Sequence, residues 1–184
     1  GFAEDKELRA VVLGGEGKAF CAGADLNWMR AMADYSWDEN RADAGKLAQM
    51  LWTLDQCPVP VIGRVHGDCY AGGMGLASVC DVLVASDNVT FCLSEARLGL
   101  LPATIAPYVV RAMGEQAARR WFTTAERFSA AQGHAMGFVH EVVADDEVVA
   151  RSEQIATTRA WRARASLAGA KAQIARAAGG RLVA

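Results

Sequence analysis

Twice in this chain an apolar, strand-like run ends in a turn of small residues that leads directly into a helix-like stretch: Phe20-Cys21-Ala22-Gly23-Ala24-Asp25-Leu26 and Gly67-Asp68-Cys69-Tyr70-Ala71-Gly72-Gly73-Met74-Gly75-Leu76. Junctions of this kind belong to α/β folds, in which strands hand over to helices at one edge of a sheet. The first N–H groups of each helix have no intrahelical acceptor and are aimed at the space beyond that edge. Two such donors converging on one point make an oxyanion hole, which holds the negative charge developing on a carbonyl oxygen. Small residues are needed there because the carbonyl has to approach the backbone closely.

The remaining pattern predicts an α/β core followed by a helical part. Residues 8–13 form a near-continuous apolar run closed by Gly14-Gly15-Glu16-Gly17, as in a strand buried on both faces. Over 26–54 apolar residues recur at helical spacing, interrupted by an acidic patch at 34–43 that reads as a mobile loop between two helices, able to gate a site. Pro58 and Pro60 break that helix, and strands are expected at 59–65, 81–85 and 89–93, with a short helix at 72–79. Helices follow at 105–113, 116–123 and 130–136, then a short strand at 138–143 and a long helical pattern over 147–178. This divides the chain into an α/β core with helical insertions at 1–143 and a C-terminal helical segment of the same domain at 144–184. A strand begins almost at the first residue and the last helical pattern stops without a clear cap, so the chain is expected to be incomplete at both ends.

At 184 residues, 52% of them hydrophobic, the chain is long enough to bury a real core within one domain. A net charge of -2 without any dense Lys/Arg block argues against nucleic acid or a membrane surface as the main partner. Cys21, Cys57, Cys69, Cys80 and Cys92 show neither zinc spacing nor a CxxC motif, and read as reduced thiols of a cytoplasmic or organelle-matrix protein. No run approaches the roughly eighteen apolar residues of a membrane helix. His66 reads as a turn residue, His134 as helical and His140 as part of a strand; none has partners at metal spacing, so no metal site is expected.

Other glycine motifs do not fit. Gly72-Gly73-Met74-Gly75 departs from GxGxxG, and Gly17-Lys18-Ala19 lacks the preceding glycine and the hydroxyl of a P-loop. Taken singly, each turn is most simply an ordinary α/β connection. Glu95, in Ser94-Glu95-Ala96-Arg97-Leu98-Gly99, has two readings from the residues alone. It is either a general acid/base raised in pKa by an apolar pocket, or a helix N-terminal glutamate with Ser94 as cap.

The two turns, Pro60-Val61-Ile62, Cys80-Asp81, Phe91, Ser94-Glu95, Arg97-Leu98-Gly99, Pro102, Thr124-Ala125-Glu126-Arg127-Phe128-Ser129-Ala130 and Gly137-Phe138-Val139 follow one another as in the crotonase superfamily. The chain resembles that family, the enoyl-CoA hydratases and isomerases, over most of its length. The resemblance implies a crotonase-like spiral of ββα units with a helical C-terminal part. It implies an acyl-CoA substrate with coenzyme A as part of that substrate and no separate cofactor, and a homotrimer or homohexamer. On this match the backbone N–H groups of Ala24 and Gly72 are the oxyanion donors and Glu95 transfers the proton, while Ala22, Asp25, Leu26, Trp28, Gly73 and Gly75 line the substrate site.

One departure matters. Typical hydratases of the family carry a second glutamate where this chain has Gly75, so the usual two-carboxylate division is missing. Ala24-Asp25-Leu26-Asn27-Trp28-Met29-Arg30, Arg97-Leu98-Gly99-Leu100-Leu101-Pro102-Ala103 and Ile105-Ala106-Pro107-Tyr108 are most similar to bacterial methylglutaconyl-CoA and isohexenylglutaconyl-CoA hydratases, which share that glycine and act in leucine or acyclic-terpenoid breakdown. A hydratase is therefore expected, with an isomerase using the same residues as the alternative and a non-catalytic acyl-CoA or RNA-binding relative as the third. Trp28, Met29, Met32 and Trp37 read as core more readily than as an acyl pocket. Tyr70 and Tyr108 are candidate pocket hydroxyls. Arg111, Arg119, Arg120, Lys171 and Arg176 read as solvated helix faces.

Overall fold

A computed structural model describes residues 5–158 and 164–178. The chain repeats one local unit three times, two strands followed by helix. The first unit is β1 (Val11–Gly14), β2 (Ala19–Cys21), α1 (Leu26–Met32) and α2 (Trp37–Asp55). The second is β3 (Val61–Val65), β4 (Asp68–Tyr70) and α3 (Gly72–Ser78). The third is β5 (Val82–Ser86), β6 (Thr90–Cys92), a 3-10 turn over Ser94–Leu98, α4 (Ala106–Met113) and α5 (Glu115–Thr124). There follow β7 (Arg127–Ser129), α6 (Ala130–Ala135), β8 (Glu141–Val143), a 3-10 turn over Asp145–Glu147, α7 (Val148–Ala156) and α8 (Arg164–Ala177).

The first strand of each unit joins one four-stranded sheet, β1-β3-β5-β8, parallel throughout, with Val12, Ile62 and Val82 in register. The second strands join another, β2-β4-β6-β7, parallel except at β6–β7. This alternation between two sheets is the spiral of ββα units expected from the resemblance.

Both faces of the first sheet are covered, which is why β3 is apolar almost throughout: Val65 enters the main core, while Ile62 packs with Val84 and with Val148 of α7. Under the second sheet an aromatic cluster fills the core. Phe91 stacks on Phe128 at 5.2 Å and meets the edge of Phe138 at 5.5 Å, and Trp121 lies 4.7 Å from Phe128. Asp81 ties the C-terminal part to the first sheet by accepting from the Val61 N–H at 2.8 Å and from Lys171 Nζ at 2.6 Å.

Several expectations are corrected. The acidic patch at 34–43 is not a loop: α2 starts at Trp37 because Ser36 and Glu39 form a reciprocal capping box, and Asp38 and Glu39 sit in the first turn, where the helix dipole favours negative charge. The long pattern over 147–178 is two helices, α7 ending at Ala156 and α8 starting at Arg164. The sequence does not announce β2, β4 and β7: β2 lies inside the small-residue turn, and β4 and β7 carry Asp68 and Arg127 within their three residues, whereas β6, equally short, sits in the apolar run 89–93. His140 stands just outside β8, its N–H bonded to the Leu83 carbonyl at 3.0 Å and its Nδ1 accepting the Leu83 N–H at 2.9 Å. Trp37 is 71% exposed and Trp28 37%, so neither is core. Lys171 and Arg111 do not simply face solvent, for Lys171 pairs with Asp81 and Arg111 with Asp55. All five cysteines are free; Cys57, Cys69 and Cys92 are buried and Cys21 and Cys80 partly so, and burial pushes the Cys80 thiol up to about 12.

Candidate active site

The strands β2, β4 and β6 lie side by side and run parallel, so their carboxyl ends open on one edge of the second sheet. In open parallel sheets that edge is where ligands bind. From it the chain leaves through Ala22-Gly23-Ala24-Asp25, through Ala71-Gly72, and through Leu93-Ser94-Glu95. Two close approaches fasten the first two turns together. A Cβ built on Gly73 would stand 2.8 Å from Cys21 Cβ and 2.9 Å from Cys21 O, and one on Gly23 would stand 3.4 Å from Ala71 Cβ. The third turn is joined to the second by the Ala71 N–H, which donates to the Cys92 carbonyl at 2.9 Å.

The second turn is strained. Ala71 has φ 49 and ψ -116, a region that L residues rarely occupy and that costs on the order of 1–3 kcal/mol. It turns the chain sharply into α3, which begins without a side-chain cap. Among the described residues, no acceptor is bonded to the N–H of Gly72 or of Ala24. A Cβ on Gly72 would meet nothing within 4 Å, so the second turn opens on free space at that point. The first helix differs, because the Asp25 carboxylate caps α1 by accepting from the Asn27 N–H at 2.7 Å and the Trp28 N–H at 3.0 Å.

Glu95 lies in the 3-10 turn beyond β6. Its Oε2 is buried with no hydrogen-bond partner, the one such side-chain atom among the described residues. Burial pushes its carboxyl above the usual glutamate value, only partly opposed by a hydrogen bond from its own backbone N–H. Ser94 does not cap this turn, contrary to the capping reading, although Glu95 does stand in its first turn. A buried, unpartnered carboxyl oxygen is unfavourable for folding and is characteristic of a group held ready for a substrate.

The other expected site residues separate into groups. Ala22 is exposed at the edge, Gly73 is consumed by packing on Cys21, and Asp25 is occupied as a cap. Trp28 projects from α1 with its indole N–H on Asp43 of α2 at 2.8 Å. The role expected of the Leu26 side chain lies outside the described residues. Tyr70 donates its hydroxyl to Asp68 at 2.7 Å, and burial with that bond pushes it up to about 12; Tyr108 is buried in α4 beneath Arg111. Among the described residues no group of three or more His, Cys, Asp or Glu is arranged to hold a metal ion, and no helix is long and apolar enough to cross a membrane. Gly75 is buried against Ile105 of the core, a contact between residues thirty positions apart that leaves no local pattern.

Comparison with known proteins agrees with this arrangement. The enoyl-CoA hydratase/isomerase family model matches residues 1–184. The chain is 35% identical over 148 residues to enoyl-CoA hydratase ACTT6 of Alternaria alternata, covering 80% of this chain and 48% of that protein. Among solved structures, an enoyl-CoA hydratase from Shewanella pealeana superposes with a TM-score of 0.88 at 39% identity, over 95% of this chain and 65% of that one. Pseudomonas aeruginosa AtuE does so with a TM-score of 0.91 at 34% identity, over 98% and 70%. The chain thus spans about half the length of the curated relatives it matches first. Three parallel strands lead into two small-residue turns and a glutamate whose Oε2 is buried, and with the family model matching residues 1–184 and these relatives beside it, the chain belongs to the enoyl-CoA hydratase/isomerase family, the crotonases.

Proposed function

We infer that the protein is an enoyl-CoA hydratase, adding water across the double bond of an α,β-unsaturated acyl-CoA. The observation that carries this reading is the buried, unpartnered Oε2 of Glu95 at the same sheet edge as Ala24 and Gly72, whose N–H groups lack acceptors among the described residues. The thioester carbonyl accepts from the N–H groups of Ala24 and Gly72. Glu95 takes a proton from water as the water oxygen bonds to C3. The C2=C3 electrons move onto the thioester, whose enolate oxygen the two donors hold, and Glu95 then gives its proton to C2. Atoms balance as one water added, with the glutamate restored. The proposed acyl group resembles methylglutaconyl or isohexenylglutaconyl, and the proposed working form is a homotrimer or homohexamer.

One observation favours a second reading. With Gly75 where the second glutamate would stand, a single carboxylate also suits an isomerase, in which one base carries a proton between C4 and C2. The two are separated by incubating the full-length protein with methylglutaconyl-CoA in water labelled with heavy oxygen. A product heavier by one labelled water supports the hydratase. A shifted double bond with no oxygen gained replaces it by the isomerase.

A further inference from the structure

We propose that Ile105 is a specificity-determining residue, which fills with hydrocarbon the space a side chain at position 75 requires and so keeps a second carboxylate out of the site. Glu95 is then left to carry both proton transfers, and to that extent the inference rests on the reading of Glu95 given above.

Gly75 is buried in α3, one turn beyond Gly72. A Cβ built on it would stand 2.4 Å from Ile105 Cγ2, 2.9 Å from Ile105 Cβ and 3.6 Å from Leu51 Cδ1. The first two distances are shorter than real contacts reach, so any residue larger than glycine must move its neighbours. Ile105 is poorly able to move. It is 3% exposed and stands at the N-terminal end of α4, its N–H bonded to the Pro102 carbonyl and its own carbonyl accepting from Tyr108 and Val109. Branching at Cβ restricts its rotamers further. Leu51 of α2, fully buried, closes the other side.

The face of α3 that carries Gly72 is therefore closed one turn further on, at position 75, by Ile105 and Leu51, where a glutamate would have offered a second proton carrier and a second anchor for water. Gly75 and Ile105 act as a pair. Replacing one without the other leaves either a clash or a void.

The test is a double-mutant cycle in the full-length protein, read by thermal melting and by hydration. Gly75→Ala is expected to lower the melting temperature by several degrees, and Ile105→Ala to make the same change at position 75 nearly neutral. Gly75→Ala with an unchanged melting temperature would overturn the proposal. In a Glu95→Gln background, Gly75→Glu together with Ile105→Ala is expected to raise residual hydration by about tenfold, and Gly75→Glu with Ile105 retained is expected to raise nothing. A folded Gly75→Glu/Ile105→Ala protein with no such gain would show that the space is out of reach of the reacting atoms, which also overturns it. Failure of the Glu95 reading looks different: Glu95→Gln would then be as active as wild type while the thermal coupling between positions 75 and 105 stands.

Discussion

Gly73 lies directly against Cys21, so that a methyl group added at Gly73 would stand 2.8 Å from the Cys21 Cβ and 2.9 Å from its carbonyl oxygen. This contact sets the spacing of the two turns, because Cys21 ends β2 and Gly73 lies in the first turn of α3. Gly73→Ala is expected to destabilise the protein by about 1–3 kcal/mol, as overpacking does, and to separate Ala24 and Gly72, the proposed donors. Urea unfolding measures the first effect. Turnover at saturating substrate measures the second, with a loss of at least about tenfold expected when donors are displaced.

Glu95→Gln keeps the shape of the side chain and removes the proton transfer proposed for it. Turnover should fall by about 100- to 10,000-fold, with substrate binding little changed. Stability should move the other way with pH. The folded carboxyl titrates above its unfolded value, so its contribution is fully present below the ordinary glutamate range near 4.5 and is lost as pH rises through the raised folded value. The variant should therefore gain on the wild type in thermal melts as pH rises through that window, with the difference level above it.

Ala71 holds a backbone conformation that glycine adopts without penalty. Ala71→Gly is expected to stabilise the fold by up to about 1 kcal/mol, the relief of strain exceeding the added chain entropy. Ala71→Val should destabilise it, since a β-branched residue fits that conformation worse. Chemical denaturation of both variants checks the order.

Arg151 of α7 grips Glu141 of β8 through Nε at 2.5 Å and a second nitrogen at 2.7 Å, and this bond holds the Glu141 carboxyl below the usual range. A depressed carboxyl contributes stability above its unfolded value and loses it as pH falls through the folded one. Arg151→Gln should lower the melting temperature by at most a few degrees at neutral pH, because the pair is partly exposed. The difference should vanish in acid, below the depressed Glu141 value.

Much of the fold was legible because its signals are local. The runs that became β1, β3, β5 and β6 announced themselves by mostly apolar residues, and α4, α5 and α6 by helical spacing; the boundaries moved by a few positions. The acidic start of α2 has the charge of a loop, but Ser36 and Glu39 form a capping box that begins the helix there. The short strands β2, β4 and β7 lack the apolar run that surrounds the equally short β6. They exist because a neighbour offers each a register: Cys69 lies beside Phe91, and Phe91 beside Phe128.

By itself the sequence determined where the chain turns, since small residues between a strand and a helix act through their own backbone, and it placed Glu95 just past a strand. Only the tertiary structure decided that those turns share one edge, that Glu95 Oε2 is buried without a partner, and that Ile105 stands over Gly75. The reason is physical: a turn is a property of neighbouring residues, whereas burial and close approach are properties of pairs that folding brings together from far along the chain.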